Sequence, residues 1–221
     1  TDLWSPAYSE NTFLEGDMVK TGPNTRAALD FFGENTVILD SGTEISIIEL
    51  ERSKSGKKRV ILALKSGQIW TKVSDEAFKT NEKSLWQVSS NRSKVEVRGT
   101  VFNFKTSPSQ DSIQLIKGEV LVGVQNPKNE EQFNDITLGK GQKMTIDSST
   151  YQQIANNKDV LEIVSSDFIE SNWHVNNLEL FFPQEAAEVK RSIELEAQKN
   201  TPEEPTTSSD LPEGSLQAPK I

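Results

Sequence analysis

The sequence predicts an all-β fold, an antiparallel β-sandwich or β-solenoid-like domain, followed by one or two C-terminal α-helices and a disordered tail. Between residues 14 and 146, short segments alternate apolar and polar side chains, and turns rich in Gly, Asn, Asp or Ser separate them at close spacing. This pattern is typical of all-β sandwiches, barrels and solenoids, because successive side chains of a strand point to opposite faces. The predicted strands are Met18–Lys20, Arg26–Phe32, Asn35–Asp40, Glu44–Leu50, Arg59–Leu64, Gln68–Val73, Leu85–Ser89, Lys94–Arg98, Val101–Lys105, Ser112–Ile116, Glu119–Val124, Asn134–Leu138 and Lys143–Asp147.

Glycine turns separate several of these strands. Lys117-Gly118 is the clearest signal for a two-residue β-hairpin, and Ser66-Gly67 is similar. The segment Leu138-Gly-Lys-Gly141-Gln shares the same form, in which glycine supplies a positive φ without a Cβ penalty. The three glycines at 67, 118 and 141 are unevenly spaced, so the sequence indicates a shared turn rather than a repeat of fixed period.

Two segments after the strands have helical patterns. Ser166 to Leu180 places Asp167 and Glu170 at the spacing of a capping box, with apolar side chains on one side. A second helix is expected from Pro183 to Lys199, since proline is tolerated in a first turn. Its apolar residues recur at spacings of three and four, at Ala186, Val189, Ile193 and Ala197.

The last residues have a different composition. From Thr201 the chain is rich in Pro, Ser and Glu and has almost no large apolar residue, so it cannot offset the entropy cost of ordering. The sequence therefore predicts an N-terminal extension (1–13), an all-β domain (14–150), a helical segment (151–200) and a disordered acidic tail (201–221).

Composition excludes several classes of function. The chain has 221 residues, 24 Lys and Arg against 33 Asp and Glu, a net charge of −9, no Cys and a single His, His174. These counts exclude disulfides, thiolate zinc sites, iron–sulfur clusters, cysteine nucleophiles and multi-histidine metal centres, so no metal or cofactor is expected. The acidic balance argues against nucleic acid as the main ligand. No apolar run approaches the length of a membrane span, so any membrane link would need an anchor absent from this chain.

One segment resembles an enzymatic motif. Val37-Ile-Leu-Asp40-Ser-Gly-Thr43 is similar to the aspartic-protease signature, whose chemistry needs two carboxylates that share a proton. The chain has one copy, so a protease would have to be a dimer, and a strand followed by a tight turn at Asp40-Ser-Gly is the preferred interpretation. His174 has no second His or Cys near it and is interpreted as a structural residue. No catalytic residue is predicted.

A basic loop and the tryptophans suggest a second class of function. Arg52-Ser-Lys-Ser-Gly-Lys-Lys-Arg59 holds five positive charges in eight residues, in a predicted hairpin loop. It could contact an anionic surface or wall polymer, and an exposed Trp could stack on sugars. Trp70 and Trp86 lie in strand patterns where an inward position is expected. A cell-wall glycan-binding module is therefore the alternative to a protein-binding module.

The order of short motifs resembles the FecR domain over residues 14 to 146. The most specific are the opening Leu14-Glu-Gly16-Asp17-Met-Val-Lys-Thr21-Gly22 and the strand Arg98-Gly-Thr-Val-Phe102. The other matching segments are Ala28-Leu-Asp-Phe, Val37-Ile-Leu39, Gly42-Thr-Glu-Ile45, Leu64-Lys-Ser-Gly-Gln-Ile-Trp70, Trp86-Gln-Val88, Ile116-Lys-Gly-Glu-Val120 and Leu138-Gly-Lys-Gly-Gln142.

The resemblance implies a role in extracytoplasmic signalling. FecR-like proteins are sensors that regulate sigma factors, and their periplasmic all-β region receives a signal from an outer-membrane transducer. This chain has neither the membrane helix nor the cytoplasmic segment of that pattern, so it is either the exterior part of such a regulator or a secreted or anchored envelope module. We expect a non-enzymatic protein of the periplasm or cell surface. It would contact a protein partner, an outer-membrane transducer or another envelope protein, through strand edges and loops.

Overall fold

The computed structural model describes residues 4–75 and 84–199, with side chains to Glu196. The chain divides into two compact units, Thr1–Ile169 and Glu170–Ile221. The predicted disordered tail, residues 201–221, lies outside the described residues. None of the described helices is long and apolar enough to cross a membrane.

The first unit is built from strands, which confirms the all-β prediction. Its strands are β1 Met18–Lys20, β2 Ala27–Phe31, β3 Asn35–Leu39, β4 Glu44–Arg52, β5 Lys58–Lys72, β6 Leu85–Ser89, β7 Ser93–Val97, β8 Val101–Thr106, β9 Asp111–Lys117, β10 Glu119–Asn126, β11 Asn129–Gly139, β12 Gln142–Ile146 and β13 Leu161–Ile163. Among the described residues of this unit there are also two short helices, α1 Thr150–Ala155 and α2 Ser166–Ile169. The helix α1 and the strand β13 were not predicted.

The long strand β5 belongs to two sheets at once. Its first half, Lys58–Ser66, lies between β4 and β6 in sheet A, whose order is β1-β4-β5-β6-β7-β10-β11. Its second half, Gly67–Lys72, lies between β3 and β8 in sheet B, whose order is β2-β3-β5-β8-β9-β12-β13. Only β5 and β6 are parallel among the described pairs. The sequence pattern predicted two strands here, joined by a hairpin at Ser66-Gly67, and that prediction is wrong.

Glycines with positive φ mark the points where the chain passes from one sheet to the other. Gly67 has a φ of +90° inside β5, and Gly118 has a φ of +88° between β9 of sheet B and β10 of sheet A. The hairpin predicted at Lys117-Gly118 is therefore also wrong, because β9 and β10 do not pair. The same change of sheet occurs at Gly42, Gly99 and Gly141. A hairpin and a change of sheet both need a left-handed backbone at the turn. Pairing with strands distant in sequence decides whether the next strand folds back on the same sheet or joins the other sheet.

One buried core fills the space between the two sheets. The ring of Phe31, on β2 of sheet B, meets the ring of Trp86, on β6 of sheet A, edge to face at 5.3 Å. Both side chains are fully buried, and so are alternate residues along the central strands of each sheet. This alternation explains why the pattern of apolar and polar residues predicted the strands well. The core includes Val37, Leu39, Ile45, Ile47, Val60, Leu62, Ile69, Val88, Val95, Phe102, Phe104, Ile113, Leu115, Val122, Met144 and Ile146.

A buried carboxylate ties two hairpins of different sheets together. Asp111, at the start of β9 in sheet B, is fully buried and accepts hydrogen bonds from three hydroxyl groups. Two of them, Ser90 and Ser93, belong to the β6–β7 hairpin of sheet A, at 2.5 and 2.8 Å, and Thr106 of β8 donates the third at 2.6 Å. The guanidinium of Arg92 lies 3.6 Å away. The carboxylate therefore has the several partners that a buried charge requires.

The described part of the second unit contains two helices, α3 Asn172–Phe181 and α4 Pro183–Lys199. The prediction of α4 is confirmed, and Glu179 forms an ion pair with Lys190 between the two helices at 2.7 Å. The single helix predicted from Ser166 to Leu180 is wrong, because Ser171 is extended (φ −61°, ψ 142°) and separates α2 from α3. Its hydroxyl accepts the backbone N–H of His174, so Ser171 is the N-cap of α3. The predicted capping box at Asp167 and Glu170 does not cap α3.

Candidate partner-binding surface

The protease-like segment forms a structural turn. Asp40 accepts a hydrogen bond from Nε of Arg26 at 3.0 Å, and its backbone carbonyl accepts the hydroxyl of Thr21 at 2.5 Å. That same hydroxyl accepts the backbone N–H of Thr43 at 2.9 Å, and Gly42 between them has a φ of +68°. The carboxylate of Asp40 is thus engaged by an arginine, whereas acid-protease chemistry needs two carboxylates that share a proton.

Acidic neighbours engage most of the charges in the predicted basic loop. Arg59 makes two hydrogen bonds to the carboxylate of Glu49, at 2.5 and 3.0 Å, and this contact holds the pKa of Glu49 below its usual value. The two lysines before it pair with Glu51 and Glu34, at 2.8 and 2.6 Å. Arg52 lies over the ring of Phe32 at 6.0 Å. Since these charges are already matched within the fold, the loop offers little net attraction to an anionic polymer.

The tryptophans give little support to sugar stacking. Trp70 and Trp86 are fully buried, as predicted, and Trp173 is 7% exposed. Trp4 is 48% exposed, and its ring carries the ammonium of Lys20 at 5.8 Å. Stacking on a glycan would therefore depend on Trp4 alone.

The described residues contain no group of three or more His, Asp or Glu side chains that could hold a metal ion. His174 lies on α3 and is 4% exposed. Burial lowers its pKa from the ordinary value of 6.5, because the protonated ring loses its hydration there. This environment fits a neutral structural histidine.

We expect this burial to make the stability of the chain depend on pH. As the pH falls below 6.5, His174 takes up a proton in the unfolded chain before it does so in the folded chain, so the free energy of unfolding decreases. Urea titrations at several values from about pH 7.5 to about pH 5 would measure this slope. The variant His174→Gln has no titrating group at this position and keeps all the carboxylates of the wild type. The difference between the two slopes of unfolding free energy against pH therefore reports on the histidine alone. Equal slopes would contradict the prediction.

The free edges of the sheets differ in their protection against pairing with another chain. Among the described strands, the sheets end at β1, β2, β11 and β13. The strands β1 and β13 have three residues each, and β11 carries Glu130, Glu131 and Asp135 and meets β10 with a bulge. The five residues of β2 include one charged residue, Asp30, and no proline. Short length, charge and bulges protect edges, so β2 is the least protected edge of the four.

An open groove of about 810 Å³ lies beside the edges β1 and β2. The N-terminal segment, residues 4–13, lines one part of it. Two contacts anchor this segment to the sheets: Phe13 packs its ring 5.0 Å from that of Phe31, and Trp4 carries the ammonium of Lys20. The strands contribute the rest of the lining, chiefly through Met18, Val19, Ala28, Leu29 and Asp30.

The sequence did not reveal this groove. Residues 1–13 are predicted to form an N-terminal extension; in the structure Phe13 packs against the core, and Trp4 and Tyr8 line the groove. Three aromatic residues in thirteen were the available signal, because such side chains seldom occur in a segment with nothing to pack on.

Residues 17–121 match a family model described as FecR protein. Among solved structures, the chain is similar to two crystal structures of a candidate anti-sigma factor from Parabacteroides distasonis, at 2.50 and 1.65 Å resolution. The first aligns with a TM-score of 0.51 and 13% identity, the second with 0.48 and 14%, and each alignment covers 68% of this chain and 61% of the other. At this identity the similarity shows the fold alone. None of the curated proteins compared with the chain matches it.

Proposed function

We propose that the chain, whose residues 17–121 match the FecR family model, is a non-enzymatic regulator of signal transduction that acts through protein–protein contact. The match to the FecR family is the observation that carries this proposal. Four glycines of the matching motifs, Gly42, Gly67, Gly99 and Gly118, have a positive φ where the chain changes sheet, so their role is structural and not catalytic.

We propose further that the protein works outside the cytoplasm and that its partner is a protein of the cell envelope, such as an outer-membrane transducer. A sigma factor would then be the final target of the signal. The fold shared with a candidate anti-sigma factor of Parabacteroides distasonis is consistent with this role. The contact would use exposed strand edges and loops, since unpaired N–H and C=O groups can pair with another chain.

Gene deletion in the bacterium that encodes the chain tests this function. Without the gene, we expect the transcripts that depend on one extracytoplasmic sigma factor to change several-fold, and RNA sequencing would measure them. Complementation with the wild-type gene should restore them, and so should Glu130→Gln, a change at an exposed residue of β11. Unchanged transcription together with increased sensitivity to detergents would indicate an organising role in the envelope and would contradict regulation.

A further inference from the structure

We propose that the groove beside β1 and β2 binds an extended, positively charged segment of the partner protein, which adds a strand to β2. This inference rests on the function proposed above and assigns the contact to one surface. Three observations carry it: the free edge of β2, the direction of its backbone groups, and the charge of the groove.

The backbone groups of β2 that face the groove can be identified from the register. Asp40, which continues β3, donates its N–H to the carbonyl of Gln68 on β5 at 2.9 Å, so the even-numbered residues of β3 face β5 and the odd-numbered ones face β2. Odd-numbered residues of β3 pair with odd-numbered residues of β2. The even-numbered residues of β2, Ala28 and Asp30, therefore direct their N–H and C=O groups to the free edge. These groups are available to an added strand.

The side chains beside this edge favour a cationic segment. Among the described residues, the groove is lined by two carboxylates, Asp17 and Asp30, and by no lysine or arginine. Each carboxylate uses one oxygen to accept a nearby backbone N–H, from Leu14 and Gly33 respectively, at 2.7 Å. The second oxygen of each has no partner among the described residues, and opposite charges across a strand pair stabilise it. A lysine or arginine of the added strand would satisfy them.

Apolar surface in the groove suits the other face of such a strand. Tyr8 and Met18 are 74% and 42% exposed there, although both are large apolar side chains. Ala28 is small and exposed on the edge strand itself, which leaves room for a bulky neighbour. A strand that alternates cationic and apolar residues would match both the carboxylates and this surface.

The chain's own tail does not fit this description. Residues 200–221 contain Glu203, Glu204, Asp210 and Glu213 against a single Lys220, so the charge of the tail does not complement the two carboxylates of the groove. Charge complementarity therefore favours a partner protein over the tail.

A synthetic peptide of alternating Lys and Val tests the proposal on the full chain. We expect saturable binding by fluorescence anisotropy, and at least about tenfold slower hydrogen exchange of the Ala28 and Asp30 amides when the peptide is bound. A peptide of alternating Glu and Val should bind at least about tenfold more weakly. No binding of the Lys–Val peptide at millimolar concentration, or equal binding of both peptides, would overturn the proposal.

Two variants separate the edge from the charge. Ala28→Pro removes an N–H that faces the groove and leaves the bonds to β3 intact, so it should abolish strand addition. Asp17→Asn together with Asp30→Asn keeps the acceptors for the two local N–H groups and should weaken binding about tenfold. The matched control, Glu130→Gln together with Glu131→Gln, removes the same charge from β11 and should leave binding unchanged. If the control variant lost as much peptide binding as the Asp17 and Asp30 variant, binding would depend only on the net charge of the chain, and the proposed site would be wrong.

Other outcomes distinguish the site from the function. If Ala28→Pro is folded and fails to bind the peptide yet restores sigma-dependent transcription in the deletion strain, the groove is not the contact and the proposed function stands. If deletion itself leaves transcription unchanged, the function fails whatever the peptide does. A wild-type chain that is dimeric by light scattering, and monomeric as Ala28→Pro, would show that β2 pairs with a second copy and would overturn the proposal of a partner segment.

Discussion

Replacing Gly67 with alanine is expected to lower the free energy of unfolding by about 3 to 5 kcal/mol, because two costs combine. The residue has a φ of +90°, which L side chains rarely adopt. A Cβ at this position would overlap the hydroxyl of Thr43 and lie 2.6 Å from its Cα. That hydroxyl accepts the N–H of Gln68 and donates to its carbonyl, both at 3.0 Å. If Thr43 moved away from the new Cβ, it would lose these two hydrogen bonds, which join the start of β4 to β5.

Gly141→Ala is the matched control for this prediction. Gly141 also lies at a change of sheet and has a φ of +78°, but a Cβ there would have no atom within 4 Å. Gly141→Ala should therefore lower the free energy of unfolding only by the backbone strain, about 1 to 2 kcal/mol. Urea denaturation followed by circular dichroism would measure both. Equal losses in the two variants would show that the close approach of Thr43 carries no energetic weight.

Replacing Asp111 with alanine is expected to lower the free energy of unfolding by about 3 to 5 kcal/mol, because the change leaves buried hydrogen-bond donors without their acceptor. Ser93 and Thr106 would each lose a hydrogen bond to a carboxylate, and Arg92 would lose the negative charge nearest to it. The same denaturation experiment would measure the loss. Asp111→Asn keeps the volume of the side chain and one acceptor oxygen, so its free energy of unfolding should lie between those of the wild type and of Asp111→Ala.

Asp135→Ala on β11 controls for the loss of one aspartate. That side chain is exposed, so its removal should change the free energy of unfolding by less than about 0.5 kcal/mol. If Asp111→Ala lowered the free energy of unfolding as little as Asp135→Ala, the hydrogen bonds of Asp111 would not hold the β6–β7 and β8–β9 hairpins together.

Alternation along the chain revealed most of the strands because each buries one face. Glu44–Arg52 and Asp111–Lys117, for example, match their predicted positions with ends that differ by one or two residues. Partners of each strand could not be predicted in the same way, since Gly67 and Gly118 have the local signature of a hairpin and long-range pairing makes them changes of sheet.

The candidate site was even less visible in the sequence. Ala28, Asp30 and Asp17 lie in segments that match the FecR pattern, but nothing in those segments marks them as a binding surface. What makes β2 an edge is the absence of a neighbouring strand beyond it among the described residues, and Asp17 meets that edge only in the folded chain. A recognisable family motif can therefore predict the scaffold, while a surface built from separate strands requires the structure.

The shared strand β5 also has a kinetic consequence. Neither sheet can complete its ladders until β5 is in place, because the strand supplies a central neighbour to both. The pairs it makes join residues far apart in sequence, such as Ile38 with Trp70 and Gly67 with Thr106. Closing such loops costs entropy before the contacts form, so we expect folding in the slow range of all-β domains, milliseconds to seconds, in a single cooperative phase.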